Sequence, residues 1–205
     1  MAKRDKNRAE MVRAEGCYRI YKGGLEVQAN QLRSPTKTFA AQVCRVEEFG
    51  RAYLIYFGQI LPPTLRLCSI IAVQLNDAAL RDFQQTLVPS FRASVTRLAG
   101  ERPPEELTIS DEELQNIPRE RTAAFTATIG RVVVSNIGSQ IDWYELSPRQ
   151  IHLLSTTAET VDPPSPVVTV SLSNSLLERM IELIDDRLGP PSVEEQEATA
   201  ESGGA

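Results

Sequence analysis

Ile71-Ala72-Val73-Gln74-Leu75 and Val168-Thr169-Val170-Ser171-Leu172 are the two stretches on which the reading of this chain turns. In both, large apolar residues recur at every second position, the period of a strand with one buried face. Both then change period. Leu80, Phe83, Leu87 and Phe91 follow the first stretch, and Leu177, Met180, Ile184 and Leu188 follow the second. Steps of three and four residues place each set along one side of a helix. The two stretches lie 97 positions apart (71 against 168) and switch from strand to helix at the same point. The pattern predicts an α+β chain of two tandem units, each an antiparallel sheet followed by a C-terminal helix.

The helix ends support this. Asn76 or Asp77 can cap the first helix, and Ser175 with Glu178 has capping-box spacing in the second, with Ser173 or Asn174 one register earlier. Gly189-Pro190-Pro191 is a stop, and Pro89 should kink or divide the first helix before it runs on to Gly100. Further strands are predicted at Leu25–Ala29, Phe39–Val43, Tyr53–Phe57 and Leu65–Leu75 in the first half. In the second half they fall at Phe125–Ile129 running into Val132–Val134, then Ile141–Leu146, Ile151–Leu154 and Val167–Leu172. Turns are signalled at Gly23-Gly24, Phe49-Gly50, Pro62-Pro63, Gly138-Ser139, Ser147-Pro148 and Asp162-Pro163-Pro164. Long crossover helices between strands are missing from the pattern, which disfavours a doubly wound parallel sheet.

The expected division is a basic N-terminal tail over 1–19, a first unit over 20–100, an acidic linker over 101–121, a second unit over 122–189 and a disordered acidic tail over 190–205. With 22 Lys+Arg against 27 Asp+Glu, a formal charge of −5 and 41% hydrophobic residues, the chain can build a core. The composition gives no reason to expect a nucleic-acid partner; the best basic candidate is the tail Lys3, Arg4, Lys6, Arg8 and Arg13. The apolar run Ile70–Val73 falls far short of the roughly 20 residues that span a bilayer, so no membrane partner is expected. Cys17, Cys44 and Cys68 have no C-x-x-C spacing and are too few for a disulfide scaffold, which makes a reducing cytoplasm the simpler compartment.

A sheet followed by a C-terminal helix, with Tyr53-Leu54-Ile55-Tyr56-Phe57-Gly58-Gln59 ahead of Asn76-Asp77-Ala78-Ala79-Leu80, resembles small bacterial and archaeal domains of the SecB export-chaperone type. Val132-Val133-Val134-Ser135-Asn136 and Val168-Thr169-Val170-Ser171-Leu172-Ser173 look similar in the second unit. The resemblance implies a SecB-like fold, duplicated over roughly 20–100 and 122–189. Its motifs are hydrophobic patterns with no catalytic signature, so it assigns no residue a role.

Chemistry has few candidates. His152, the one histidine, lies in the predicted strand Ile151–Leu154 and reads as a core or sheet-edge residue rather than an acid–base or metal group. There is no G-x-S-x-G elbow and no phosphate-binding loop. Asp142 and Glu145 should face opposite sides of a strand, and Asp185-Asp186 closes a helix; both pairs read as solvated charge. No catalytic residue, cofactor or metal is therefore assigned. The aromatic residues stand out instead. Tyr53 and Phe57 should share one face of a strand, Tyr56 and Leu54 the other, with Trp143-Tyr144 in a second strand and Tyr18 and Tyr21 near the start of the first unit. Tyr53, Tyr56, Phe57, Trp143 and Tyr144 are the candidate interface residues, Trp143 the most informative of them. The leading expectation is a non-enzymatic interaction protein, chaperone-like, holding a polypeptide partner at strand edges and in grooves between sheet and helix. A structural component of a homo-oligomer and an enzyme with a site assembled from distant polar residues stay open beside it.

Overall fold

The computed structural model describes residues 12–13, 32–62, 66–87, 89–99, 104–155 and 163–191. The strand-to-helix switch occurs in both halves. β5 (Arg66–Asn76) runs into α1 (Asp77–Thr86), where the Ala79 N–H donates to Asn76 Oδ1 at 2.8 Å. β9 (Ser165–Leu172) runs into α5 (Asn174–Leu188), where the Leu176 N–H donates to Ser173 Oγ at 3.1 Å. The caps thus sit 97 positions apart (76 against 173), and the second helix takes the earlier register rather than Ser175–Glu178. Pro89 divides the first helical stretch: α1 ends at Thr86 and α2 (Pro89–Leu98) starts on the proline, where a missing N–H costs nothing. Gly189 ends α5 at φ 79°, a backbone conformation that favours glycine.

The remaining strands are β1 (Val12–Arg13), β2 (Thr38–Ala40), β3 (Val43–Phe49), β4 (Ala52–Leu61), β6 (Thr122–Thr126), β7 (Ile129–Ser135) and β8 (Gly138–Glu145). They form a four-stranded sheet in the order β3-β4-β5-β6 and a five-stranded sheet in the order β1-β7-β8-β9-β2. The expectation of purely antiparallel sheets is corrected here. β2 runs parallel to β9, and β6 runs parallel to β5. β2 joins the sheet built by the second half, and β6 joins the sheet built by the first. The strand expected over Phe39–Val43 is broken at Ala41-Gln42, and the one over Phe125–Val134 at Ala127-Thr128, because the chain changes sheets at both places.

The two crossings use the same bonds. Ala41 N–H donates to Ser171 O and Gln42 N–H to Gly58 O; Ala127 N–H donates to Gln74 O and Thr128 N–H to Tyr144 O. Pairings correspond likewise: Val43–Gly58 with Ile129–Tyr144, Ile55–Val73 with Ile141–Val170, and Phe39–Val170 with Phe125–Val73. Each central hairpin strand carries its own register shift, at Gln59/Ile60 in β4 and Trp143/Tyr144 in β8.

One apolar core joins the halves. It takes Ile55, Phe57 and Val73 from the first sheet, Ile141, Trp143 and Val170 from the second, and Leu80, Phe83, Leu177 and Met180 from the helices. α1 packs on β4 and β5 but also on β7, and α5 packs on β8 but also on β3. Charge links the helices too. Arg92 pairs with Asp185, Gln84 Nε2 donates to Asp185 Oδ1 and to Gly189 O at 2.7 Å each, and Arg92 Nε donates to Leu87 O at 2.7 Å. Asp185 is therefore a partly buried junction of α1, α2 and α5 rather than solvated charge.

Three further expectations are corrected. Ile151–Leu154 belongs to helix α4 (Pro148–Ser155), not to a strand, so His152 lies on an exposed helical position. Ser147 and Gln150 exchange hydrogen bonds (Gln150 N–H to Ser147 Oγ, 3.2 Å; Ser147 N–H to Gln150 Oε1, 2.7 Å), a capping-box arrangement with Pro148 in the first helical position. Asp142 is buried, not solvated: its Oδ1 accepts from Thr169 Oγ1 at 2.7 Å and Gln140 Nε2 at 2.8 Å. The hairpin turn predicted at Gly138-Ser139 falls at Asn136-Ile137. The basic tail falls outside the described residues except for Val12 and Arg13, which pair with Val134 and Val133. The predicted strand Leu25–Ala29, Tyr18, Tyr21, Cys17, Gly100 and residues 192–205 also lie outside them.

Candidate interaction surface

The five aromatic candidates separate by face. Phe57 and Trp143 are fully buried in the common core, where the Trp143 ring lies 4.9 Å from that of Phe83 at 43°. The helices of the chain itself close the inner sheet faces at these positions. Trp143 has its apolar cover, but its indole Nε1 finds no hydrogen-bond partner among the described residues. Tyr144 is fully buried on the opposite face with Leu32, Ile129 and Leu146. Burial pushes its phenol above the usual range and Asp142 adds to this, while Arg131 opposes. Tyr53 and Tyr56 are half-buried, Tyr53 beside the core and Tyr56 on the outer face of the four-stranded sheet, as alternation requires. The phenol of Tyr56 is raised by burial and by Glu47, against Arg45.

Free strand edges are a second kind of surface. Of the four sheet edges, β1 has two residues, and β2 has three and follows Lys37. β3 is covered over its first half: Thr108 bridges Cys44, and the Ile109 N–H donates to Cys44 O at 3.0 Å. Its second half carries Glu47 and Glu48, charges that blunt an edge. β6 is different. It has five residues, Thr122-Ala123-Ala124-Phe125-Thr126, with no charge and no proline, and four of the five are exposed.

Among the described residues the outer backbone groups of β6 have no strand partner. In a parallel ladder alternate residues direct both polar groups to the same neighbour. The Ala127 N–H reaches Gln74 O, so Ala123 and Phe125 face β5 while Ala124 and Thr126 face outward. No strand lies beyond them among the described residues. Phe125 packs toward the core with Lys37 Nζ 5.4 Å from its ring centre, and exposed Arg119, Glu120 and Arg121 precede the strand. Among the described residues the edge is thus an open hydrogen-bonding template with Arg119 and Arg121 ahead of its start. The sequence pattern hides this edge because Phe125–Ile129 alternates straight on toward Val132–Val134; the signal in the sequence is the small pair Ala123-Ala124 ahead of it.

A third surface is the outer face of the four-stranded sheet, where Val43, Ile70 and Ile109 are buried and Tyr56, Ile60, Leu67, Leu114 and Ile117 pack around them half-buried. The last two lie on and just after α3 (Asp111–Asn116), within the acidic stretch. Leu107 and Ile109 of that stretch are buried, Leu107 in the common core.

Among the described residues, no group of three or more His, Cys, Asp and Glu is placed to hold a metal, and no helix is long and apolar enough to cross a membrane. Cys44 and Cys68 are free thiols. Comparison with protein families, curated proteins and solved structures gives no match.

Proposed function

We propose that this chain is a non-enzymatic, chaperone-like adaptor that takes an extended polypeptide segment as an added strand on β6. We further propose that it is an internal duplication of a sheet-plus-helix unit of the SecB type, acting in the cytoplasm. The observation that carries the binding reading is the outward N–H and C=O groups of Ala124 and Thr126 on an uncharged, exposed edge. An incoming strand would satisfy those groups, which is the source of affinity in strand addition. The matched bonds at the two sheet crossings favour duplication over two unrelated halves. The free thiols Cys44 and Cys68 suit a reducing compartment.

The test uses Ala124→Pro and Thr126→Pro. Each removes an outward donor while leaving the bonds to β5 in place, the one situation in which a sheet tolerates proline. Binding of a fluorescently labelled unfolded polypeptide should weaken about tenfold or more, since a hydrogen bond and its neighbours are worth about 1–2 kcal/mol. Circular dichroism should be unchanged. Undiminished binding by both folded variants would refute the edge as the site. If light scattering shows that the parent self-associates and the variants do not, the edge serves a second copy of the chain and the homo-oligomer reading replaces the adaptor.

A further inference from the structure

We propose that the outer face of the four-stranded sheet is a docking groove for an amphipathic helix with an acidic first turn and two apolar residues three positions apart, and that α3 occupies this groove in the free chain. This surface is separate from β6 and stands or falls without it.

The floor of the groove is built to receive an inserted side chain. At Gly58 of β4 a Cβ would lie 2.5 Å from Leu67 Cδ1, 2.7 Å from Val43 Cγ2 and 3.2 Å from Ile109 Cδ1. The glycine leaves a slot that Leu67 and Val43 of the sheet and Ile109 of the covering segment fill together. The corresponding position of the other sheet, paired with Ile129 as Gly58 is with Val43, holds Tyr144, whose side chain fills that position and is buried under Leu32, Leu146 and Ile151. Both outer faces are thus closed by segments from outside the sheet, but on the four-stranded sheet the position under the cover is a glycine with no side chain of its own.

The cover has two parts of unequal strength. Leu107 and Ile109 are anchored in buried positions. Beyond them α3 has no buried residue, and only Leu114 and Ile117 touch the floor, both half-buried. Its polar anchor is Arg45, which donates to Ile109 O at 3.1 Å and pairs with Asp111 and, at 2.7 Å, with Glu47. The Ser110–Glu113 capping box then starts the helix. Lifting α3 would uncover Tyr56, Ile60 and Leu67 as a strip headed by a guanidinium. The occupant states the ligand's chemistry: Asp111, Glu112 and Glu113 at the basic end, Leu114 and Ile117 along the strip.

The probe is a labelled peptide of residues 108–118, titrated against the full chain and against Leu114→Ser/Ile117→Ser, which keeps the slot filled but weakens the cover. The double variant should bind the peptide about tenfold more tightly than the parent, because a face open only a fraction of the time lowers apparent affinity by that fraction. Adding Arg45→Ala should cost most of that gain, and a peptide with Asp111, Glu112 and Glu113 replaced by Lys should not bind. A folded double variant that does not bind, or one indifferent to Arg45 and to peptide charge, overturns the proposal. If the double variant fails to fold, hydrogen exchange on the parent decides. Amides of 112–117 exchanging about tenfold or more faster than those of α5 fit a cover that opens, and core-like protection overturns it. Ala124→Pro should bind this peptide as the parent does.

Discussion

Gly130→Ala puts the shared core to its most direct test. Gly130 sits in β7 under α1, and a Cβ there would lie 2.7 Å from Phe83 Cδ2, 2.7 Å from Phe83 Cε2 and 2.7 Å from Trp143 Cζ3. Carbon atoms in contact sit about 3.5–4.0 Å apart, so two rings must each retreat by about 1 Å. Neither has room, since Phe83 and Trp143 are both buried and already packed together. Overpacking of this kind costs about 1–3 kcal/mol, and the lower entropy of the unfolded alanine chain returns about 0.5–1 kcal/mol. The net loss should be about 1–2 kcal/mol, which lowers Tm by about 2–8 °C in a chain of this size. The duplicate position supplies the remedy. Where this unit has Gly130, Trp143 and Phe83, the other has Cys44, Phe57 and Met180: a larger residue on the edge-side strand beside a smaller aromatic and a flexible thioether. Trp143→Phe should therefore recover part of the loss, and urea melts of the two single variants and the double variant should give a coupling of about 1 kcal/mol. Gly130→Ala as stable as the parent, or simple additivity with Trp143→Phe, would refute this account of the core.

Arg92→Ala should lower stability by about 1–3 kcal/mol in urea denaturation, because it leaves Asp185 without its cation, held by Gln84 alone, and the Leu87 carbonyl without the guanidinium at the meeting of three helices; Arg92→Lys should recover only part, since it lacks the planar fork that reaches both. The Asp82 carboxyl on α1 is pushed up to about 6 by burial. It holds a proton in the folded chain that it has lost in the unfolded one between about pH 4 and 6, so its contribution to stability falls as pH rises through that window. Asp82→Asn should then flatten the fall in Tm between pH 4 and 7 and leave the variant the more stable at pH 7; with the group only half-buried, the gain should stay below about 1 kcal/mol. An unchanged pH profile would contradict this.

The strand-to-helix switches were legible because cap and period agree in each half, with a glycine stop in the second: Asn76 and Ser173 precede helices whose apolar residues recur at three and four, and Gly189 ends α5. The separation of faces in β4 was legible for the same reason, with Tyr53 and Phe57 toward the core and Tyr56 away from it. The exchange of strands was not. Alternation at Phe39–Val43 persists through Ala41-Gln42, and nothing local marks a strand that leaves one sheet for another when the small buried Ala41 fits either. α4 was misread because Ile151-His152-Leu153-Leu154 is an apolar run too short for its period to distinguish helix from strand. The arbiter was Ser147-Pro148-Arg149-Gln150, a capping box with proline at the first position, which resembles a turn when read without its fourth residue. Asp142 was read as solvated because pattern places a side chain on a face but does not say what covers that face; Thr169 and Gln140 meet it there.

The exchanged strands also change what the acidic stretch between the halves means. With two separate units, 101–121 would only need to span the gap between them. Here it must deliver β6 to the edge of the first sheet, beside β5, before the chain crosses at Ala127 into the second. A route from the end of α2 to that edge crosses the outer face of the same sheet, and the residues that cross it are those that cover it: Ile109 in the Gly58 slot, then Leu114 and Ile117 on α3. The segment therefore sets both candidate surfaces, one by lying on a sheet face and the other by ending as a sheet edge. The acidic residues Glu106, Glu112 and Glu120 are compatible with this because they are exposed, while Asp111 meets Arg45. A composition that reads as a solvated linker thus describes one side of the segment, while four apolar residues, Leu107, Ile109, Leu114 and Ile117, fix where the other side must lie.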